Sequence, residues 1–146
     1  MRVQFPPSPM LKHKNSKEIG TLGEDLAVKY LKIKGYEILE RNFQMKVSNF
    51  LKSEIDIIAK EEDIVHFVEV KTLRQAQGKT LRQVQGKEFF PEEKVNFEKK
   101  KKIIRAAETW LSKNKIPLDS QWQIDIIAIV IEGELEKAKV SFFQNI

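Results

Sequence analysis

The sequence predicts an α/β fold in which helices flank a mixed β-sheet. Apolar residues recur at helical spacing in two stretches, and short apolar runs rich in isoleucine and valine, typical of strands, lie between and after them. In chain order these give one helix, three strands, a second helix and two strands. With 146 residues and 41% hydrophobic content, the chain can bury a single core. We therefore expect residues 16–146 to form one domain around a mixed sheet.

The first helix is predicted to begin near Ser16 and to end near Gly35. Asn15, followed three residues later by Glu18, is typical of a capped helix start, and glycine is a common helix stop. The apolar stripe consists of Ile19, Leu22, Leu26, Tyr30 and Ile33. Residues 1–15, which include three prolines, are expected to form a flexible tail.

Three strands are predicted to follow the first helix. The first extends from about Tyr36 to Phe43, and the other two lie around residues 54–58 and 67–71. Lys60–Asp63 between the last two is polar and short enough for a hairpin loop. The second and third strands are therefore expected to pair as an antiparallel hairpin.

A second helix and two strands complete the predicted order. Pro91–Glu93 is typical of a helix start, because proline and acidic residues are favoured in the first turn. The helix should continue to about Asn114, with its apolar side formed by Ile103, Ala107, Trp110 and Leu111. Residues 122–131 predict a strongly apolar strand, and residues 140–143 a final edge strand after a turn around Gly133.

A near-perfect tandem repeat precedes the second helix. Residues 71–78 (KTLRQAQG) are followed by residues 79–86 (KTLRQVQG), and the two copies differ at one position. Eight residues are too few for a repeat architecture. We expect an inserted loop at about 72–88, which is either inert or places Arg74 and Arg82 against a nucleic-acid backbone.

Three charged residues, Asp56, Glu69 and Lys71, interrupt the apolar strands of the predicted hairpin. Burying an unpaired charge is costly, so these groups need partners. A divalent cation held by Asp56 and Glu69, with Lys71 beside it, would satisfy both acids and perform chemistry. The acids share a face only if opposed residues of the hairpin have numbers with an odd sum. Alternatively, both acids face water from an edge strand.

Further residues give the chain a resemblance to a known family. In order, they are Gly20, Gly23–Glu24, Gly35–Tyr36, Arg41–Asn42, Glu54–Ile55–Asp56, Phe67–Val68–Glu69–Val70–Lys71 and Asp125. This ordered set resembles the UPF0102 (YraN-like) family, a group regarded as endonuclease-like within the PD-(D/E)xK nuclease superfamily and distantly similar to archaeal Holliday junction resolvases. The resemblance covers about residues 17–130, apart from the insertion. It implies a restriction-endonuclease-like core.

The resemblance also implies roles for individual residues. Asp56 and Glu69 correspond to the metal-binding acids, with Mg²⁺ or Mn²⁺ as the ion, and Lys71 to the group that orients the attacking water. Glu24 resembles a supplementary acid on the first helix, although a plain surface position stays open for it. Glu54 is either a group behind the ligands or a partner for Lys71.

The chain departs from the family pattern at two positions. Ser53 stands where a glycine usually precedes Glu-Ile-Asp, and Gln123 stands where an arginine commonly precedes the strand residue and Asp125. Neither change removes a proposed ligand, but Gln123 removes a positive charge that could have contacted phosphate. We expect a structural role for Asp125, and His66 falls on the strand face opposite Glu69.

The charge of the chain favours a polyanionic partner. Its net charge is +5 and its pI is about 9.3. Arg41, Lys99 and Lys100 are the candidate nucleic-acid contacts, although the run Lys99–Lys102 is also typical of a solvated helix face. With only five arginines, backbone or shape recognition is expected rather than base reading.

Several classes of protein are excluded or disfavoured. No stretch of about 18 apolar residues is present to span a membrane, and the N-terminus lacks the apolar region of a secretory signal. We therefore expect a cytoplasmic protein without a membrane partner. The absence of cysteine excludes disulfides, cysteine nucleophiles and cysteine-ligated zinc.

Together these features lead us to expect a metal-dependent endonuclease that cuts structured or branched nucleic acid, with DNA favoured over RNA. Two alternatives stay open, namely a nucleic-acid-binding module without turnover and a scaffold that docks onto DNA-processing proteins. A homodimer is expected only by analogy with junction resolvases, which cut two strands.

Overall fold

The computed structural model describes residues 2–4, 15–46, 48–49, 52–75, 97–132 and 137–146. These residues form a sheet with one helix on each face. The elements are β1 (Arg2–Gln4), α1 (Ser16–Ile33), β2 (Glu37–Lys46), β3 (Lys52–Glu61), β4 (Ile64–Gln75), α2 (Phe97–Lys113), β5 (Trp122–Glu132) and β6 (Lys137–Phe143). From α1 onward the order is the predicted one, and the α/β class is confirmed.

The sheet is mixed and has the strand order β1-β6-β5-β4-β3-β2 among the described residues. β4 and β5 run parallel, whereas the other neighbouring strands are antiparallel. A parallel pair cannot be joined by a tight turn, and α2 lies in the connection between β4 and β5. This arrangement is the restriction-endonuclease-like core predicted from the sequence.

The hairpin of β3 and β4 has the odd register that the candidate site requires. Glu61 pairs with Ile64 and Ile57 pairs with Val68, so the connecting loop is only Glu62 and Asp63. Glu62 has a φ of 53°, the left-handed conformation that tight hairpin turns use. Continuing this register by one residue places Asp56 opposite Glu69.

α1 begins and ends where the sequence predicts. The Asn15 side chain accepts a hydrogen bond from the Glu18 backbone N–H at 2.9 Å, and Gly35 follows the helix with a φ of 94°. The residues of α1 that face the sheet include Leu26, Ala27 and Leu31, which pack against apolar residues of β3, β4, β5 and β6. One core layer therefore lies between α1 and the sheet.

α2 covers the opposite face of the sheet and forms a second core layer. All four apolar residues predicted for its inner side are buried, namely Ile103, Ala107, Trp110 and Leu111. Trp110 contacts Phe67 of β4 edge to face at 5.8 Å between ring centroids. The predicted start at Pro91–Glu93 lies outside the described residues. Neither described helix is long and apolar enough to cross a membrane.

The structure differs from the sequence prediction at both ends of the chain and at the insertion. Residues 2–4 of the predicted tail form β1, which pairs with residues 137–139, so β6 is not an edge strand there. Residues 72–75, expected in the inserted loop, continue β4 because they pair in parallel with residues 129–132 of β5. The remaining tail residues, the rest of the predicted loop and the turn around Gly133 lie outside the described residues.

Candidate active site

The candidate site lies where β3 and β4 separate. The β3–β4 ladder ends at the pair of Ile57 and Val68, whereas the ladder of β4 with β5 runs from Val65 to Gln75 and so continues past this point. Asp56 Oδ2 accepts a hydrogen bond from the Val70 backbone N–H at 2.8 Å, so the carboxylate continues the contact between the strands after the ladder ends. We call Asp56, Glu69 and Lys71 at this point the β3–β4 fork.

The Asp56 carboxyl lies in surroundings that disfavour its charged form. Burial and, second, the neighbouring Glu69 carboxylate raise its pKa to about 8, and the hydrogen bond from Val70 only partly opposes the shift. Two carboxylates that face each other in a poorly solvated place cannot both be charged without compensation. The fork therefore calls for a proton or a cation beside Asp56.

Two lysines form ion pairs with the Glu69 carboxylate and compensate its negative charge. Its Oε1 atom lies 3.2 Å from Lys71 Nζ and 2.5 Å from Lys99 Nζ, so both ammonium groups share one carboxylate oxygen. Burial lowers the pKa of Lys71, and the hydrogen bond with Lys99 lowers it further. Burial also acts to lower the pKa of Lys99, but hydrogen bonds to Glu69 and Lys71 outweigh it and leave that pKa raised. α2 thus adds a second lysine to the fork.

Glu24 lies beside the β3–β4 fork because α1 packs unusually close to β4. A Cβ atom on Gly23 would lie 1.8 Å from Thr72 Oγ1, so only glycine allows this approach. Burial raises the pKa of Glu24, and Arg41 opposes the shift. Glu24 is therefore a partly buried acid beside the fork and not a plain surface residue.

Two open cavities meet at the fork. The α1-side cavity, of about 480 Å³, is lined by residues that include Glu24, Asp56, Glu69, Thr72 and Arg74. The α2-side cavity, of about 430 Å³, is lined by residues that include Lys52, Glu54, Asp56, Glu69, Lys99 and Lys102. Asp56 and Glu69 line both cavities, so the acids can be reached from both faces of the sheet.

The donor set of the fork fits a divalent cation in chemistry, but it is not fully assembled. Asp56, Glu69 and Glu24 offer the carboxylate oxygens that Mg²⁺ prefers, and burial together with the facing Glu69 carboxylate disfavours the charged form of Asp56 unless a cation joins it. Within the described ranges, however, no three acidic or histidine side chains converge as a ready metal site. One of the candidate ligand oxygens, Glu69 Oε1, faces two ammonium groups instead.

The sequence comparisons identify the family. The model of the family described as "Uncharacterised protein family UPF0102" matches residues 23–129. The chain belongs to the UPF0102 family. It is 37% identical over 131 residues to a UPF0102 protein of Dictyoglomus turgidum, which covers 90% of this chain and 98% of that protein. A UPF0102 protein of Clostridium botulinum is 36% identical over 133 residues, or 91% of this chain and 96% of that protein. The matched segment contains Glu24 and the whole fork.

Two positions where this UPF0102 protein departs from the family pattern have structural partners. Ser53 is buried and its Oγ donates to the Lys102 backbone oxygen at 2.8 Å, which ties β3 to α2. Gln123 Nε2 donates to Asp125 Oδ1 at 2.8 Å. Both substituted side chains therefore stabilise the framework around the site.

Asp125 has the structural role that was expected. It is fully buried, and its carboxylate also contacts His66 Nδ1 at 2.5 Å and accepts a hydrogen bond from the Asn145 backbone N–H at 2.8 Å. His66 packs against the ring of Tyr36, which belongs to the α1 side of the core. These contacts confirm that His66 lies opposite Glu69 and is not part of the fork.

The remaining predicted residues surround the fork. Arg41 Nη2 pairs with Asp25 Oδ1 at 2.8 Å on the α1 side. Glu54 is exposed at the α2-side cavity, and the described partner of Lys71 is Glu69 and not Glu54. Lys100 lies beside Lys99 on α2, and the described ion pairs of Glu69 do not include it.

Sequence reasoning named Lys99 as a nucleic-acid contact but missed its ion pair with Glu69. The two residues are distant in the chain, and the segment between them includes residues outside the described ranges. The available signal was weak: α2 follows the fork strand and its first turns are rich in lysine. Only the tertiary packing of α2 on β3 brings Lys99 to the fork.

Proposed function

We propose that this protein is a metal-dependent endonuclease that hydrolyses phosphodiester bonds of nucleic acid with Mg²⁺ or Mn²⁺. The β3–β4 fork is the observation that carries the proposal. It gathers two opposed acids and a partly buried lysine at the end of a strand pair, with a third acid nearby on α1. Burial and the facing Glu69 carboxylate raise the pKa of Asp56, and such a perturbed acid at the edge of a cavity is typical of a functional site.

Each residue of the fork has a role in this chemistry. Asp56 and Glu69, supplemented by Glu24, would hold the divalent ion, which would supply positive charge to the phosphoryl oxygens in the transition state. Lys71 donates hydrogen bonds beside Glu69 and orients the attacking water. The water oxygen forms a bond to phosphorus and gives up a proton, one P–O ester bond breaks, and the leaving oxygen takes up a proton in exchange.

The substrate we propose is DNA, with structured or branched forms favoured. Three lysines line the α2-side cavity, which suits a phosphate backbone, and the chain carries a net charge of +5. The preference for branched DNA, cytoplasmic location and a homodimer follow from the resemblance to junction resolvases and the composition of the chain. The UPF0102 membership is compatible with this function and does not specify it.

Cleavage of labelled DNA tests the proposal. Duplex, single-stranded, flapped and four-way-junction substrates are incubated with Mn²⁺, Mg²⁺ or EDTA. We expect metal-dependent cutting, and we expect Asp56→Asn and Lys71→Ala each to lower the rate by about 100-fold or more, because each removes a charge that acts on the reacting phosphate.

Matched variants separate this result from contamination. Asp63→Asn and Lys60→Ala make the same kinds of change at exposed positions of the same hairpin and should cut like the wild type. If no substrate is cut, or if the fork variants cut as fast as these controls, the endonuclease proposal is wrong. Metal-independent DNA binding without cutting would instead favour a binding module.

A further inference from the structure

Glu69 has one oxygen shared by two ammonium groups. Lys99 Nζ lies 2.5 Å and Lys71 Nζ 3.2 Å from Oε1, while the Glu69 side chain is only 10% exposed. Oxygen ligands bind Mg²⁺ or Ca²⁺ at about 2.0–2.6 Å, so an ion bound to this oxygen would lie within a few ångströms of both lysines. As the fork stands, the lysines and a metal ion compete for the same carboxylate.

The two lysines are not equally free to move away. Lys71 lies on β4 two residues from Glu69, so both side chains project from the same face of one strand. Lys99 belongs to α2, and its side chain is 35% exposed at the α2-side cavity. A lysine on a flexible four-carbon stem at the edge of a cavity can exchange one anionic partner for another.

The α2-side cavity offers Lys99 such a partner. Lys52 and Lys102 line the cavity together with Lys99, and Lys99 and Lys102 lie on one face of α2 because they are three residues apart. The hydrogen bond of Ser53 to the Lys102 backbone fixes this part of α2 to β3. A phosphate group that enters the cavity would therefore meet three ammonium groups next to Glu69.

We propose that Lys99 is a positioning residue that couples phosphate binding to metal binding at Glu69. The α2-side cavity receives a backbone phosphate of the nucleic acid, Lys99 moves from Glu69 Oε1 to that phosphate, and the freed oxygen becomes available to the metal ion. This inference rests on the proposed function. It gives a role to the contact of one Glu69 oxygen with two ammonium groups.

Calorimetric titration of the full-length protein with Ca²⁺ and with Mn²⁺ tests the first half of the proposal. Lys99→Gln should bind the ions about fivefold or more tightly than the wild type, since the competing ammonium group is gone. Lys99→Arg keeps the charge and should retain the wild-type affinity. Lys101→Gln removes an exposed lysine of the same helix that is not among the described ion pairs of Glu69, and it should leave the affinity unchanged.

Fluorescence anisotropy of a labelled four-way junction tests the second half. Coupling is reciprocal, so Ca²⁺ should strengthen DNA binding by the wild type at constant ionic strength. The gain should be smaller in Lys99→Gln and of wild-type size in Lys101→Gln. A methylphosphonate oligonucleotide, which has an uncharged backbone, should show no gain.

The outcomes distinguish this inference from the proposed function. Equal metal affinity of the wild type and Lys99→Gln, or the same rise in metal affinity in Lys101→Gln as in Lys99→Gln, overturns the role of Lys99 even if the protein cuts DNA. Tighter metal binding by Lys99→Gln alone supports that role even if no substrate is cut. If none of the variants binds either ion, with or without DNA, both proposals fall.

Discussion

Asp56 and Asp125 lie in the same sheet, on strands separated by one other strand, but their electrostatic surroundings are opposite. Asp125 is fully buried, yet His66, Gln123 and the Asn145 backbone all contact its carboxylate. Asp56 is less buried and has the hydrogen bond from Val70, but Glu69 faces it and its pKa is raised to about 8 by burial first and by that neighbour second.

This difference separates a structural carboxylate from a candidate functional one. Depth of burial would point to Asp125, the more deeply buried of the two. The electrostatic surroundings point to Asp56, whose charged form is disfavoured by burial and by the facing Glu69 carboxylate. A buried acid surrounded by donors holds a fold together, whereas an acid that faces another acid at the edge of two cavities is available for a cation.

Removing Asp125 should have the largest effect on stability. Asp125→Ala leaves the His66 ring, the Gln123 amide and the Asn145 N–H without their acceptor in a buried place, so we expect a loss of about 3–5 kcal/mol in the free energy of unfolding. Urea denaturation measures it. Asp25→Ala, which breaks only the exposed pair with Arg41, should cost less than about 1 kcal/mol. Equal losses in the two variants would show that the Asp125 contacts contribute little.

Asp56 should instead make the free energy of unfolding fall as the pH rises. In metal-free protein the folded state keeps a proton on Asp56 up to about pH 8, whereas the unfolded chain releases it near the ordinary value of 3.8. The folded state therefore binds more protons between these values, and stability falls with increasing pH by on the order of 1 kcal/mol per pH unit at most. From about pH 5 to about pH 8 the loss can reach roughly 3 kcal/mol.

Asp56→Asn should remove this dependence and be more stable than the wild type near the upper end of that range. Urea denaturation in EDTA at several pH values measures the slope. Asp63→Asn, at the exposed turn of the same hairpin, should keep the wild-type slope. Parallel pH profiles of the wild type and Asp56→Asn would contradict the raised pKa.

Much of this contrast could be predicted from the sequence, because it depends on local patterns. The apolar patterns predicted both helices and the order of helices and strands along the chain, and the short polar segment before Ile64 predicted the hairpin that sets Asp56 opposite Glu69. The family pattern pointed to Glu24 and to a structural Asp125. These features depend on neighbours in the chain or on one strand pairing.

Contacts between distant segments could not be predicted in the same way. The pairing of β1 with β6 joins the two ends of the chain, and nothing in residues 2–4 specifies that partner. The ion pair of Lys99 with Glu69 depends on how α2 lies across the sheet. The hydrogen bond of Ser53 to the α2 backbone also joins distant segments, and the sequence alone did not indicate it.

The contact between α1 and β4 provides the smallest of the three expected effects on stability. Gly23→Ala would place a methyl group 1.8 Å from Thr72 Oγ1 and 2.8 Å from Thr72 Cβ, so helix and strand must separate. We expect a loss of roughly 2 kcal/mol. Because the charge of Glu24 helps to raise the pKa of Asp56, moving Glu24 away should also make the pH dependence of stability shallower.

Gly20→Ala is the matched control, since the same change three residues earlier in α1 meets no atom within 4 Å. It should stabilise the helix by about 0.5–1 kcal/mol, because alanine loses less backbone entropy than glycine on folding. Thr72→Ala in the Gly23→Ala background removes two of the three clashing atoms and should restore part of the lost stability. If Gly23→Ala is as stable as Gly20→Ala, α1 has room to shift, and the close packing of α1 on β4 cannot be what holds Glu24 beside Asp56.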